Sequence, residues 1–148
     1  MFPVTHIRKG EPTGFKDKFL AAINKEDERC KLHTIRANYE LWKKRFDEIA
    51  AGNACLAIRQ WAGRPYCSKQ VELARLTRED GIGLQKLEIV KEKYNSRELW
   101  LGYAGGRQID VNNLAQNDGL SLNDWIEWFK NYKLNQPMAI IHFTKFRY

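Results

Sequence analysis

Residues 31–36 read "KLHTIR", setting an amine, an imidazole, a hydroxyl and a guanidinium within six positions. The run has two readings. As an edge strand it is a charged margin that discourages edge-to-edge pairing. As the floor of a binding site it offers Lys31 and Arg36 as cations, with His33 and Thr34 able to donate and accept hydrogen bonds. A second concentration is "RQWAGRPY", where Arg59, Trp61, Arg64 and Tyr66 crowd a turn. Basic and aromatic side chains on a hairpin tip suit RNA, since cations meet phosphate and rings stack on bases. A hairpin tip is equally a place where charge sits at no cost. Trp61 is the best stacking candidate, because helical spacing explains Trp42 and Trp125 as core.

Other chemistries are disfavoured. Cys30, Cys55 and Cys67 form no C-x-x-C pair and are odd in number, and His6, His33 and His142 are scattered. Neither a disulfide framework, a metal site nor a cofactor is expected. Lys and Arg total 25 against 18 acids, a net charge of +7. That balance favours polyanionic partners, or serves solubility alone. Apolar runs are too short to span a membrane, and the opening "MFPVTHIRKG" is too charged for a signal peptide. A cytoplasmic protein is the expectation.

The elements that must position these residues follow from periodicity. The 148 residues fit one domain, 1–148, and 43% hydrophobic content can fill its core. Phe15, Phe19 and Ile23 recur every four residues and predict a helix, with Thr13 as its cap. "KLHTIRA" reads as extended. "YELWKKRFDEIAAG" is a second helix, stopping at Gly52. "ACLAIRQW" and "YCSKQVELARL" predict two antiparallel strands, and "LQKLEIVKEKY" a further one. "RELWLGYAGGRQIDV" is a hairpin turning at Gly105-Gly106. "NNLAQNDG" and "LSLNDWIEWFKNY" are helical, the latter capped by Ser121, and "PMAIIHFTKF" is a buried final strand. The class is therefore α+β, without the crossings a doubly wound sheet requires.

The Phe15 helix, "CKLHTIR", "NDGLSLNDWIEWF" and "AIIHF", in that order and spacing, resemble the ASCH domain over roughly residues 15–143. The resemblance implies a small PUA-like mixed β-barrel of about six strands flanked by three to four helices. It implies a nucleic-acid-related role, and its best-defined activity is removal of the acetyl group from N4-acetylcytidine. The family's catalytic trio is a Lys and a Thr three residues apart, with an acid before the last helix. Lys31, Thr34 and Asp118 match it, although the family acid is often Glu, one methylene longer. Arg36 matches a basic residue two positions after the Thr. The helical insert "NYELWKKRFDEIAAG" departs from the most compact hydrolases and is a candidate lid.

That chemistry sets physical conditions. A Thr hydroxyl attacks an amide only if a neighbour takes its proton, and a Lys does so only if burial or positive charge lowers its pKa. Asp118 at a helix N-terminus would be held ionised by the helix dipole, fitting it to accept hydrogen bonds from a base amino group. Residues three apart in a regular strand face opposite sides, so Lys31 and Thr34 can share a pocket only if Lys31 precedes the strand or a bulge intervenes. The leading expectation is a binding domain whose basic cleft takes RNA, a nucleoside or a nucleobase. An amidohydrolase acting on an N-acylated nucleoside and a protein–protein interaction module are the alternatives. Resemblance to small, phage-like ASCH proteins implies that the opening segment with His6, Arg8 and Lys9 belongs to the same cleft.

Overall fold

The computed structural model describes residues 12–25 and 30–148. The opening segment with His6, Arg8 and Lys9, and the charged exit after Lys25, lie outside the described residues. The α+β class is present. Every pairing among the seven strands is antiparallel, where a mixed arrangement of about six strands was expected. Each strand meets its neighbours through hairpins or returning segments, so no parallel crossover is needed.

Helix α1 (Phe15–Asn24) buries Phe15, Phe19 and Ala22. The Thr13 hydroxyl accepts from Phe15 N at 3.4 Å. Strand β1 (His33–Arg36) follows, then α2 (Tyr39–Ala50), whose Asn38 cap accepts from Leu41 N at 3.1 Å. Helix α2 packs on the sheet at β4 and β7, with Trp42 and Phe46 against the core. Strands β2 (Leu56–Trp61) and β3 (Gln70–Leu76) make a separate hairpin with a bulge at Ile58/Arg59. Strand β4 (Gly83–Tyr94), β5 (Arg97–Ala104) and β6 (Arg107–Ile109) form a meander. Helices α3 (Val111–Asn117) and α4 (Leu122–Phe129) lead to β7 (Met138–His142).

The main sheet runs β1-β7-β4-β5-β6. Every residue of β7 is buried, as the continuous apolar run of a central strand requires. One core joins the sheet, α1, α3, α4 and the hairpin residues Ile58 and Leu76. Strand β1 is an edge of this sheet, so its outer side is open to side chains from the helices.

Candidate functional site

Lys31 enters from outside the strand. Its main-chain N bonds Lys18 O at 2.9 Å, while Leu32 N bonds Asn117 O at 2.8 Å and Leu32 O accepts from Phe143 N at 3.0 Å. These bonds fix the segment before β1 against α1, the end of α3 and the end of β7. The parity difficulty is thereby resolved: β1 begins at His33, and Lys31 joins Thr34 from the preceding loop.

Asp118 arrives from the turn between α3 and α4. The structure corrects its expected setting. Helix α4 begins at Leu122 with Ser121 as N-cap, and Asp118 is instead the C-cap of α3. The dipole of a helix C-terminus disfavours a carboxylate, so the charge on Asp118 depends on neighbouring cations. Gly119, at φ +82°, makes the turn close: a Cβ there would sit 3.4 Å from Lys18, Lys31 and Phe15. Its carbonyl accepts from Lys18 Nζ at 2.7 Å, pinning the turn to α1.

Lys31 and Asp118 are both buried, and Lys31 Nζ donates to Asp118 Oδ1 and to Asp118 O, each at 2.5 Å. The ammonium also lies 4.3 Å from the centroid of the Phe15 ring. Burial lowers Lys31 from 10.5 to about 8; Asp118 opposes that shift, and Arg36 and Lys18 add to it. Burial pushes the Asp118 carboxyl up, against the pull of Lys31 and Arg36. Both shifts run toward a neutral pair, because a low-dielectric site penalises each charge. The Trp125 indole N–H also favours ionised Asp118, although its geometry falls short of a normal hydrogen bond.

Around this pair lies a small hollow lined by Phe15, Thr34, Arg36, Trp128 and Phe129 among others. Its volume, about 10 Å³, is roughly that of one water. The Thr34 hydroxyl makes no hydrogen bond among the described residues, and Thr34 is 8% exposed. Adjoining the hollow is a cleft of about 520 Å³ lined by Arg36, Trp61, Tyr66, Gln70, Trp128 and Tyr132, with Pro65. Arg36 and Trp128 line both spaces, forming the partition between them. Larger grooves of about 650 and 800 Å³ lie elsewhere and hold no buried ion pair.

The structure thus gathers Lys31, Thr34, Arg36 and Asp118 in one hollow and places Trp61 in the adjoining cleft. His33 is elsewhere: it is fully buried, and its Nε2 meets Tyr148 Oη at 2.7 Å. Arg59 pairs with Glu72 at 3.5 Å on the exposed hairpin, and Arg64 is exposed at its tip; neither lines the hollow or the cleft. Helix α2 contributes no lining residue to either space. The sequence reading counts Trp128 among the tryptophans able to stack on bases without singling it out, and it missed Tyr132, just after α4. It also missed the tilted contact between the Tyr66 and Trp61 rings, with centroids 5.3 Å apart and planes at 54°. Among the described residues no three His, Cys, Asp or Glu side chains gather as a metal site, and no helix is long and apolar enough to cross a membrane. No family model, no curated protein and no solved structure matches the chain.

Proposed function

We propose that the protein binds a nucleobase, presented by RNA or as a nucleoside, in the aromatic cleft beside β1. The observation carrying this reading is the sharing of Arg36 and Trp128 between that cleft and the charged hollow. A base stacked among Trp61, Tyr66 and Trp128 would turn its polar edge toward Arg36. There the guanidinium can donate to a ring carbonyl or a phosphate, with the buried Lys31–Asp118 pair behind it. The cleft volume falls within the range of small-ligand sites. The accompanying fold reading is a PUA-like barrel of the ASCH type. It is supported by the shared core of the main sheet and the β2–β3 hairpin.

The test is binding of a single-stranded oligoribonucleotide and of free nucleosides across a salt series. Trp61→Ala should weaken base binding by about 1–3 kcal/mol, the worth of one stacked base. Arg36→Gln should reduce the salt slope by about one if it meets phosphate. Unchanged affinity in both variants, or no binding of either probe, rejects the reading; a protein partner is the remaining class only if the hydrolase test below fails too.

A second reading, amidohydrolysis, is favoured by one observation: a Lys31 amine lowered to about 8 lines the same hollow as the Thr34 hydroxyl. Neutral Lys31 would take the Thr34 proton as Oγ attacks an acyl carbon, then return it to the departing exocyclic nitrogen. Water, deprotonated by Lys31, would release the acid and restore Thr34. Incubation with N4-acetylcytidine should then yield cytidine and acetate, with both Lys31→Ala and Thr34→Ala inactive. Absence of cytidine refutes this reading and leaves the binding reading untouched.

A further inference from the structure

Tyr148 lies outside the hollow, yet its contacts are with the two segments that build it. The hydroxyl stands 2.7 Å from His33 Nε2 and 2.9 Å from Asn117 Nδ2. His33 follows Lys31 by two residues, and Asn117 immediately precedes Asp118. Among the described residues the same stretches are also joined by the main-chain bond from Leu32 N to Asn117 O and by the two bonds from Lys31 Nζ to Asp118. The Asn117 amide donates to the hydroxyl oxygen, and the same hydroxyl is hydrogen-bonded to His33 Nε2. His33 has no other partner there: it is fully buried, and its Nδ1 is unbonded among the described residues.

Tyr148 is itself held in register. Its N–H donates to Gln85 Oε1 at 3.0 Å, and Gln85 Nε2 donates to Tyr148 O at 3.3 Å. Gln85 Oε1 also accepts from His142 Nε2 at 2.9 Å. His142 and His33 are cross-strand partners, so β7 and β1 present both rings to the tyrosine. Its ring lies 5.6 Å from His33 and 6.0 Å from His142. Arg147 anchors the preceding residue, donating to Gly81 O at 2.8 Å and lying where a side chain on Gly83 would fall.

We propose that Tyr148 is a positioning residue for the Lys31–Asp118 pair, its hydroxyl clasping the segments that deliver the two side chains. The role rests on the reading of that pair as the floor of the binding site, but its test does not. With the clasp open, residues 31–33 and 117–118 can part and water can reach the ammonium. Desolvation, the largest influence on Lys31, is then relieved. The charged groups acting on Lys31 are Asp118 from the α3–α4 turn, Arg36 from β1 and Lys18 from α1, and none of these is altered by the substitution.

The experiment follows the Lys31 amine by NMR titration, assigned by its loss in Lys31→Met. It compares the unaltered chain, Tyr148→Phe, Asn117→Ala and a remote core variant, Ile89→Ala. Tyr148→Phe and Asn117→Ala should raise the Lys31 midpoint by about one pH unit, and Ile89→Ala should leave it in place. An unmoved midpoint in folded Tyr148→Phe overturns the proposal, as does an equal shift in Ile89→Ala. A Tyr148→Phe chain that does not fold assigns the hydroxyl to the scaffold and overturns the positioning role too. Absence of nucleobase binding, by contrast, rejects the proposed function and does not change the midpoint comparison.

Discussion

The Lys31 ammonium and the Asp118 carboxylate meet at 2.5 Å in a setting that leaves 1% of one side chain and 6% of the other exposed. Lys31 spends two hydrogen bonds on the same residue, one on its side chain and one on its main chain. The pair is therefore both the floor of the hollow and the tie between β1 and the α3–α4 turn. Such an ion pair specifies geometry more surely than it stabilises, because desolvation offsets much of the attraction.

Breaking the pair from either side should cost stability, with opposite pH dependence. Asp118→Asn strands a buried ammonium and should cost about 3–5 kcal/mol near neutrality. That loss should shrink as pH rises and Lys31 is neutralised. Lys31→Met strands a carboxylate already pushed upward, so its loss should shrink as pH falls and Asp118 is protonated. Urea unfolding at three pH values checks both signs, read as differences from the unaltered chain. The double variant should be less destabilised than the sum of the two.

The unaltered chain should also gain stability on the alkaline side. Lys31 titrates at about 8 when folded against 10.5 when exposed, so the unfolded state binds more protons between those values. Stability should rise from pH 8 toward 10, by up to about 3 kcal/mol from this group. Tyr148, pushed up by burial, acts in the opposite sense: above pH 10 the unfolded tyrosine ionises first and stability falls. Denaturant midpoints from pH 7 to 11 should pass through a maximum, and Lys31→Met should remove the rising limb.

On the acid side the two buried histidines set the slope. Burial, with Arg147 nearby, lowers His142 from 6.5 to about 3, and burial, His142 and Lys31 hold His33 well below its usual range. The unfolded histidines take up protons first, so stability should fall as pH drops below 6.5. Asp118, its carboxyl raised by burial, works against this, because the folded state takes up that proton before the unfolded one. His142→Gln keeps an amide able to donate to Gln85 and should flatten the limb between pH 6.5 and 4.

Periodicity and caps made most elements legible. The Phe15, Phe19 stripe became α1, the Gly105-Gly106 turn joins β5 to β6, and Ser121 caps α4 through Asp124 N at 3.2 Å. The β4–β5 hairpin turns at Asn95-Ser96, both with positive φ, without the Asn-Gly pair that usually marks such a turn. The site was legible only in part. Lys31 and Thr34 stand close in sequence, but Asp118 is 87 residues away from Lys31, and its partnership came from a family resemblance alone. The stretch "NDGLS" offered two capping residues. Ser121 took the role because its hydroxyl reaches Asp124 N, which left Asp118 at the wrong end of a helix for the dipole to help. Tyr148 gave no signal at all: its role arises where β1, β4 and α3 converge, and no local pattern records that meeting.

Tyr66 offers the sharpest separation of stability from binding. It is 90% exposed, its φ is +63°, and its ring rests on Trp61 at the mouth of the cleft. A non-glycine residue in the left-handed region costs on the order of 1 kcal/mol, and an exposed ring recovers little of that by burial. In the proposed function the Tyr66 ring adds an aromatic surface beside Trp61 at the cleft. Tyr66→Gly should therefore raise stability by about 0.5–1 kcal/mol through relief of strain, less the entropy that glycine adds to the unfolded chain. The same substitution should weaken nucleobase binding by about 1 kcal/mol or more. Thermal unfolding and titration with an oligoribonucleotide measure the two effects on one protein. A variant that is more stable and binds as well as the unaltered chain would remove Tyr66 from the cleft's recognition surface.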